Sequence, residues 1–206
     1  MRILLVVPEL FFSEPLGVLQ ISASCRTAGH TTRLLALHRH SITEVLKQFQ
    51  PNVVGYSAMT PNEPAFADAN RDVIAYQEKT RNRIHRIMGG PHPTFFPEVI
   101  DRIDLDAVVV GPGDYAIQAI LARLEEGRDL DGIPNVVTRT FQSPEREIVN
   151  DPDDLPFADR SILYEYDPSL QRVGIRTFMT QRGCPYKCTY CFNHAFKKMF
   201  KGGGAN

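Results

Sequence analysis

The chain has no apolar run approaching the roughly 18 residues of a membrane-spanning helix, and Met1-Arg2 leads directly into a strand-like stretch with no signal-peptide pattern. Both absences favour a cytoplasmic protein. No G-x-G-x-x-G follows the first strand, so a dinucleotide is not the favoured ligand. There is no internal repeat, and no low-complexity tract beyond Gly202-Gly203-Gly204. Cysteine is scarce: four in 206 residues, three of them within eight positions. That clustering suits a metal and a reducing compartment rather than a disulfide framework. Cys25, the fourth, falls in a helical pattern with Ile21 and Ala28, and is expected to be a small buried residue.

Acidic residues are missing from 171–206, which hold seven of the 23 Lys and Arg and none of the 24 Asp and Glu. The other 170 residues thus carry 16 basic against 24 acidic groups, although the net charge is only −1. A basic tail can meet nucleic acid. This one lacks the length and the repeated basic-aromatic pattern, so positive charge around an anionic centre and a carboxylate-bearing ligand is the preferred reading. With 43% hydrophobic and 23% charged residues, the composition is that of a globular chain.

What is present is an alternation. Five short apolar runs, 2–7, 31–37, 53–58, 84–88 and 107–110, read as strands buried on both faces. Helical stretches follow them at 16–28 (ended by Gly29), 41–49 (with a Ser41/Glu44 capping box), 64–83, 95–103 and 115–126 (stopped by Gly127). The expectation is an α/β fold: a doubly wound, parallel, five-stranded Rossmann-like (flavodoxin-like) sheet over 1–127. Residues 128–170 are read as a hairpin (135–139 with 146–149) and an acidic, Pro-rich linker, and 171–206 as a further unit opened by a strand at 173–180.

Ligands of such sheets bind at the carboxyl ends of the strands. The loops there are distinctive: Ser57-Ala58-Met59-Thr60-Pro61, Gly89-Gly90-Pro91-His92-Pro93-Thr94 and Gly111-Pro112-Gly113-Asp114. Glycines in them let backbone approach a ligand closely, and helix N-termini beside them favour a phosphate. His92 is read evenly as a ligand contact or a satisfied loop histidine.

The densest signal is Cys184-Pro185-Tyr186-Lys187-Cys188-Thr189-Tyr190-Cys191, spaced C-x3-C-x2-C. Three thiolates on one loop can hold three irons of a 4Fe-4S cluster and leave the fourth open to a small molecule. Zinc on these cysteines with His194 is the alternative, although structural zinc sites usually pair two separated knuckles and the second is missing.

Here the chain resembles the radical S-adenosylmethionine (SAM) superfamily, whose signature is C-x3-C-x-aromatic-C, with Tyr190 in the aromatic place. The resemblance implies a cluster on Cys184, Cys188 and Cys191 whose open iron binds SAM, with a reductant protein as partner. The loops at 57–60, 89–94 and 111–114 look like the cobalamin-binding domain that precedes many such barrels. That likeness implies base-off cobalamin near Ser57, Thr60, Gly89, Gly90, Pro91, His92, Thr94, Gly111, Gly113 and Asp114. The family's fifth-strand turn is commonly Gly-Glu-Gly-Glu, so Pro112 and Asp114 depart from it. No histidine follows the first strand to ligate cobalt, and Phe11 and Phe12 are candidates to cover that lower face. The Leu-Pro-Phe-x-Asp-Arg stretch at 155–160 also resembles the tandem family.

The function implied is the amino-terminal part of a cobalamin-dependent radical SAM enzyme, a methyltransferase or related catalyst. The rivals are a radical SAM protein whose Rossmann-like domain binds no cobalamin, and a non-catalytic zinc protein. Only fifteen residues follow Cys191, so the radical SAM barrel is expected to be incomplete, 171–206 poorly packed, and the chain alone inactive. Gly90→Val is expected to block the cobalamin tail without unfolding the sheet.

Overall fold

The computed structural model describes residues 1–10 and 14–200. Strands β1 (Arg2–Val7), β2 (Thr31–Ala36), β3 (Val53–Ser57), β4 (His85–Gly89), β5 (Ala107–Val109) and β6 (Val136–Val137) form one sheet in the order β2-β1-β3-β4-β5-β6. The first five run parallel. The sixth is an antiparallel edge added to β5. The expected five-stranded core is therefore present, and Val136 and Val137 extend it.

Both faces of the sheet are covered, which is why its strands are continuous apolar runs rather than alternating ones. Side chains of alternate strand positions divide between two cores. Ile3, Leu5, Val53, Ile87 and Val109 face α1 (Leu16–Thr27) and α6 (Asp114–Glu125). Leu4, Val6, Val54, Tyr56, Met88 and Val108 face α2 (Ile42–Phe49), α3 (Glu63–Thr80) and the α4–α5 pair (Pro91–Phe95, Val99–Ile103). Strand order reverses between β1 and β3, the place where doubly wound sheets open a crevice.

Several expectations change in detail. The helix expected over 95–103 is two short helices, because Pro97 lacks the N–H that a continuous helix would use there. The helix expected over 64–83 stops at Thr80, where Arg81 turns left-handed at φ 57°. Ser41 is the N-cap of α2, yet its side chain makes no capping hydrogen bond, so the capping box is not formed. Gly29 and Gly127 do end their helices, with φ of 84° and 66°.

The hairpin expected in 135–149 forms with a nearer return: Thr138 N–H donates to Phe141 O, Ser143 N–H to Val136 O and Asn135 N–H to Glu145 O, around an antiparallel bridge of Val137 to Gln142. Val136 and Val137 pair with β5, while 146–149 form no strand; Asn135 holds that stretch instead, through Glu147 N–H and Glu147 O. Helix α7 (Ser161–Tyr166) buries Ile162 and Leu163 in the core beneath α1 and β2. The expected strand at 173–180 is not formed, since no neighbouring strand pairs with it. Ile175, Phe178 and Met179 there are exposed. A last helix, α8, spans Asn193–Met199.

Candidate functional site

The carboxyl ends of β3, β4 and β5 open into a cavity of about 1020 Å³. It is a slot rather than a surface bowl. One wall is the sheet face down to Ile3 and Val53; another is built by α1 and by the start of α6, through Leu16, Ile21 and Ile117; residues of 152–160 and 177–196, among them Pro156, Phe178 and Phe192, complete the lining. Gly55 and Gly89 leave β3 and β4 without side chains where the slot runs, and only Leu5 Cδ2, at 3.3 Å, would touch a Cβ on Gly55. An isolated glycine inside a buried strand is the available sequence signal of such an approach.

Ser57, Gly89, Gly90, Pro91, Thr94, Gly111, Gly113 and Asp114 all line this slot, as the loop reading expected. Thr94 joins two of the loops. Its buried hydroxyl donates to Gly90 O at 2.8 Å and accepts from Gly111 N–H at 3.0 Å. Thr60 and His92 do not line the slot. His92 is 2% exposed; its Nδ1 lies 3.2 Å from Thr60 Oγ1 and its ring stacks on Phe96. Its Nε2 lies 3.0 Å from Glu63 Oε2.

Gly90 also needs a different account. At φ 102°, a Cβ there would stand 2.7 Å from Ala58 O and 3.0 Å from Ala58 N. The obstacle is backbone, so Gly90→Val would damage the fold itself, contrary to the expectation that it would only block a ligand. Gly111 has φ 92°, and Phe200 packs directly on it. Phe11 and Phe12 lie outside the described residues.

Asp114 is not free to meet a ligand. Its carboxylate, 5% exposed, receives both prongs of Arg182: Nη1 to Oδ2 at 2.5 Å and Nη2 to Oδ1 at 3.0 Å. This pair raises the Arg182 pKa above its ordinary value, against an opposing effect of burial. A second anchor lies nearby. Arg160 Nε donates to Glu14 at 3.0 Å and its Nη2 to Thr177 O at 2.5 Å, while Thr177 N–H donates to Glu14 Oε2 at 3.0 Å. Sequence reasoning missed both anchors, since ion pairs between residues 68 and 146 positions apart leave no local pattern.

Beyond Arg182 and Gly183, which line the slot, comes the cysteine loop. Cys184 and Cys191 are half-buried and Cys188 is exposed. Cys191 N–H donates to Cys188 O at 3.1 Å, so those two share one turn. Among the described residues no three His, Cys, Asp or Glu side chains gather to hold a metal. The donor set fits iron in number and softness, but the three sulfurs are not drawn together. Tyr190 is 91% exposed and does not reach the slot. Cys25, in contrast, is buried in α1, and burial pushes its thiol pKa up to about 12.

Curated relatives match almost the whole chain. An uncharacterised methyltransferase of Pyrococcus horikoshii is 28% identical over 98% of this chain and 48% of its own length. The anaerobic magnesium-protoporphyrin IX monomethyl ester cyclase of Rubrivivax gelatinosus is 25% identical over 91% of this chain and 36% of its own. The chain thus spans less than half the length of these relatives. Among solved structures, the fold superposes on the cobalamin-dependent S-adenosylmethionine radical enzyme OxsB with aqua-cobalamin and S-adenosylmethionine bound. There the TM-score is 0.75 and the identity 22%, over 92% of this chain and 28% of that one. The B12 binding domain family matches residues 3–121, more than half of the chain and the part that carries the glycine loops of the slot, so the chain belongs to the B12-binding domain family.

Proposed function

We propose that this chain is the cofactor-binding leading part of a cobalamin-dependent radical SAM enzyme, a methyltransferase or related catalyst, working in the cytoplasm. The observation that carries the reading is the slot, with a three-cysteine loop tied to its mouth by Arg182. A glycine-floored slot between sheet and helices suits a ligand with a long narrow tail, and cobalamin's nucleotide arm is one. Ser57, Gly89, Pro91, Thr94, Gly111 and Gly113 would line the tail; the apolar walls at Leu5, Ile21 and Ile117 would exclude water from it.

Cys184, Cys188 and Cys191 would ligate a 4Fe-4S cluster, and a reductant protein would supply its electron. Bound together, cobalamin, the cluster and SAM supply methyl transfer and radical generation, while the protein contributes position and electrostatics. Arg172, Arg176 and Lys187, with no acid in 171–206, would set a positive field around an anionic cluster and SAM's carboxylate, while Arg182 is neutralised by Asp114. The relatives' names point the same way, being methyltransferase and cyclase. Turnover is assigned to a protein of the relatives' length.

The test is metal and cofactor analysis of anaerobically purified chain. Reconstitution should give about four irons per chain, and added cobalamin should bind with the absorbance of the base-off form. Stoichiometric zinc without iron uptake would replace the cluster reading with the zinc one. Iron without cobalamin would leave the slot to another ligand.

A further inference from the structure

We propose that Glu14, Arg160 and Arg182 are positioning residues that fix the approach to the cysteine loop relative to the slot before any cofactor arrives. The proposal rests on reading Cys184, Cys188 and Cys191 as the cluster ligands. It concerns how their loop is placed.

The stretch 177–183 has little else to hold it. It forms no strand, and Phe178 and Met179 are 76% and 62% exposed, so apolar burial does not fix it. Its ends are fixed by charge. At Thr177, the Glu14–Arg160 pair satisfies both backbone groups at once: the carboxylate accepts the N–H and the guanidinium donates to the carbonyl. One ion pair thereby replaces the neighbouring strand that a β-ladder would supply. The Arg160 guanidinium also lies 4.9 Å from the Phe178 ring centroid. At the other end, Arg182 forks onto Asp114. A bidentate guanidinium–carboxylate contact fixes direction as well as distance.

Both anchors sit on the walls of the slot. Glu14 stands two positions before α1, and Asp114 opens α6. Asp159 fixes the base of Arg160 in turn. Its carboxylate accepts from Ser22 Oγ at 2.6 Å and lies 3.1 Å from Arg26 Nε, both on α1. The Asp-Arg of the Leu-Pro-Phe-x-Asp-Arg stretch thus has two opposed tasks, Asp159 gripping the domain and Arg160 gripping the segment that leads to the cysteines.

The test is amide hydrogen exchange and chymotryptic cleavage on the whole chain, kept anaerobic and free of cofactor. Exchange at the hydrogen-bonded Thr177 amide, and the rate of chymotryptic cleavage after Phe178, should rise about tenfold or more in Arg160→Ala, and the cleavage rate likewise in Arg182→Ala, with β1, β3 and β4 amides unchanged. Arg182→Lys keeps the charge but loses the fork and should fall between parent and Ala. Glu14→Gln, nearly the same shape without the charge, gives a second measure at Thr177 should an Ala variant also loosen the strands. Unchanged exchange at Thr177 in Glu14→Gln, or unchanged cleavage in the Ala variants with intact strands, would overturn the proposal. No iron enters these measurements, so failed iron uptake would sink the cluster reading alone, and unchanged exchange or cleavage the positioning role alone.

Discussion

Asp114, first residue of α6, and Arg182, two positions before Cys184, form a forked ion pair in which the carboxylate is almost wholly buried. Desolvating a carboxylate is costly unless a partner satisfies its oxygens, and Arg182 satisfies both. The pair therefore couples the wall of the slot to the loop at its mouth.

Loss of any one of Cys184, Cys188 and Cys191 to Ala should abolish the reconstituted cluster, because a single loop has no spare thiolate to substitute. Cys25→Ala should leave iron content unchanged, its thiol being buried in α1 and held protonated. Iron content and visible absorbance after anaerobic reconstitution check both. Full iron content in Cys188→Ala would contradict the assignment.

Adjacent glycines should behave oppositely. Gly89 has ordinary φ, and a Cβ on it would find only Val109 Cβ, at 4.0 Å. Gly89→Leu should therefore fold, project into the slot and weaken cobalamin binding by about tenfold or more, some 1.4 kcal/mol. Gly90→Ala should instead lower stability by about 1–3 kcal/mol, through left-handed strain and the clash with Ala58. Titration with cobalamin and urea unfolding separate the two. Equal affinity for Gly89→Leu and parent would move the tail elsewhere.

Thr94→Val removes one hydroxyl and preserves shape. It strands Gly111 N–H and releases Gly90 O, at an expected cost of about 1–3 kcal/mol. Urea midpoints check the stability, and cobalamin titration should show weakened binding, since both glycine loops lose their common tie. A neutral variant would mean that water replaces the hydroxyl at no cost.

The parallel core was legible because the strands carry short apolar runs, most of them closing on Gly, Pro or Ser, and because some helices end on a glycine. Gly29 and Gly127 are examples. The glycine loops were legible for the same local reason. His92 and Asp114 show where legibility ends. Whether a polar side chain faces a cavity or a partner depends on Glu63, Thr60 and Arg182, which sequence distance hides. The hairpin at 135–149 was legible in part. Val136 and Val137 do turn back onto the next polar stretch, at Gln142 and Ser143 rather than 146–149, but their pairing with β5, more than twenty positions earlier, left no local signal.

Acid should weaken the fold in a window set by two histidines. Burial holds His85 below the ordinary imidazole value, and Arg83 adds to that; burial, then the N-terminal ammonium, does the same to His30. In the unfolded chain both titrate near 6.5, at about the ordinary value. As pH falls below that point the unfolded state takes up protons that the folded state refuses, so stability declines until the lowered folded values are passed. Urea midpoints between pH 8 and 5 should fall with acid, and His30→Gln with His85→Gln should flatten the decline. An unchanged slope in the double variant would assign the loss to carboxylates.

The two margins of the sheet carry a consequence for solubility. An exposed row of unpaired strand amides invites cross-chain β-pairing and, eventually, fibrous aggregation. Here β6 is only two residues long and is bridged back by Gln142. On the other margin, α7 packs beside β2 and Arg26 occupies the Thr32 carbonyl. The β6 border is too short to template a further strand, and the β2 border is partly covered by α7.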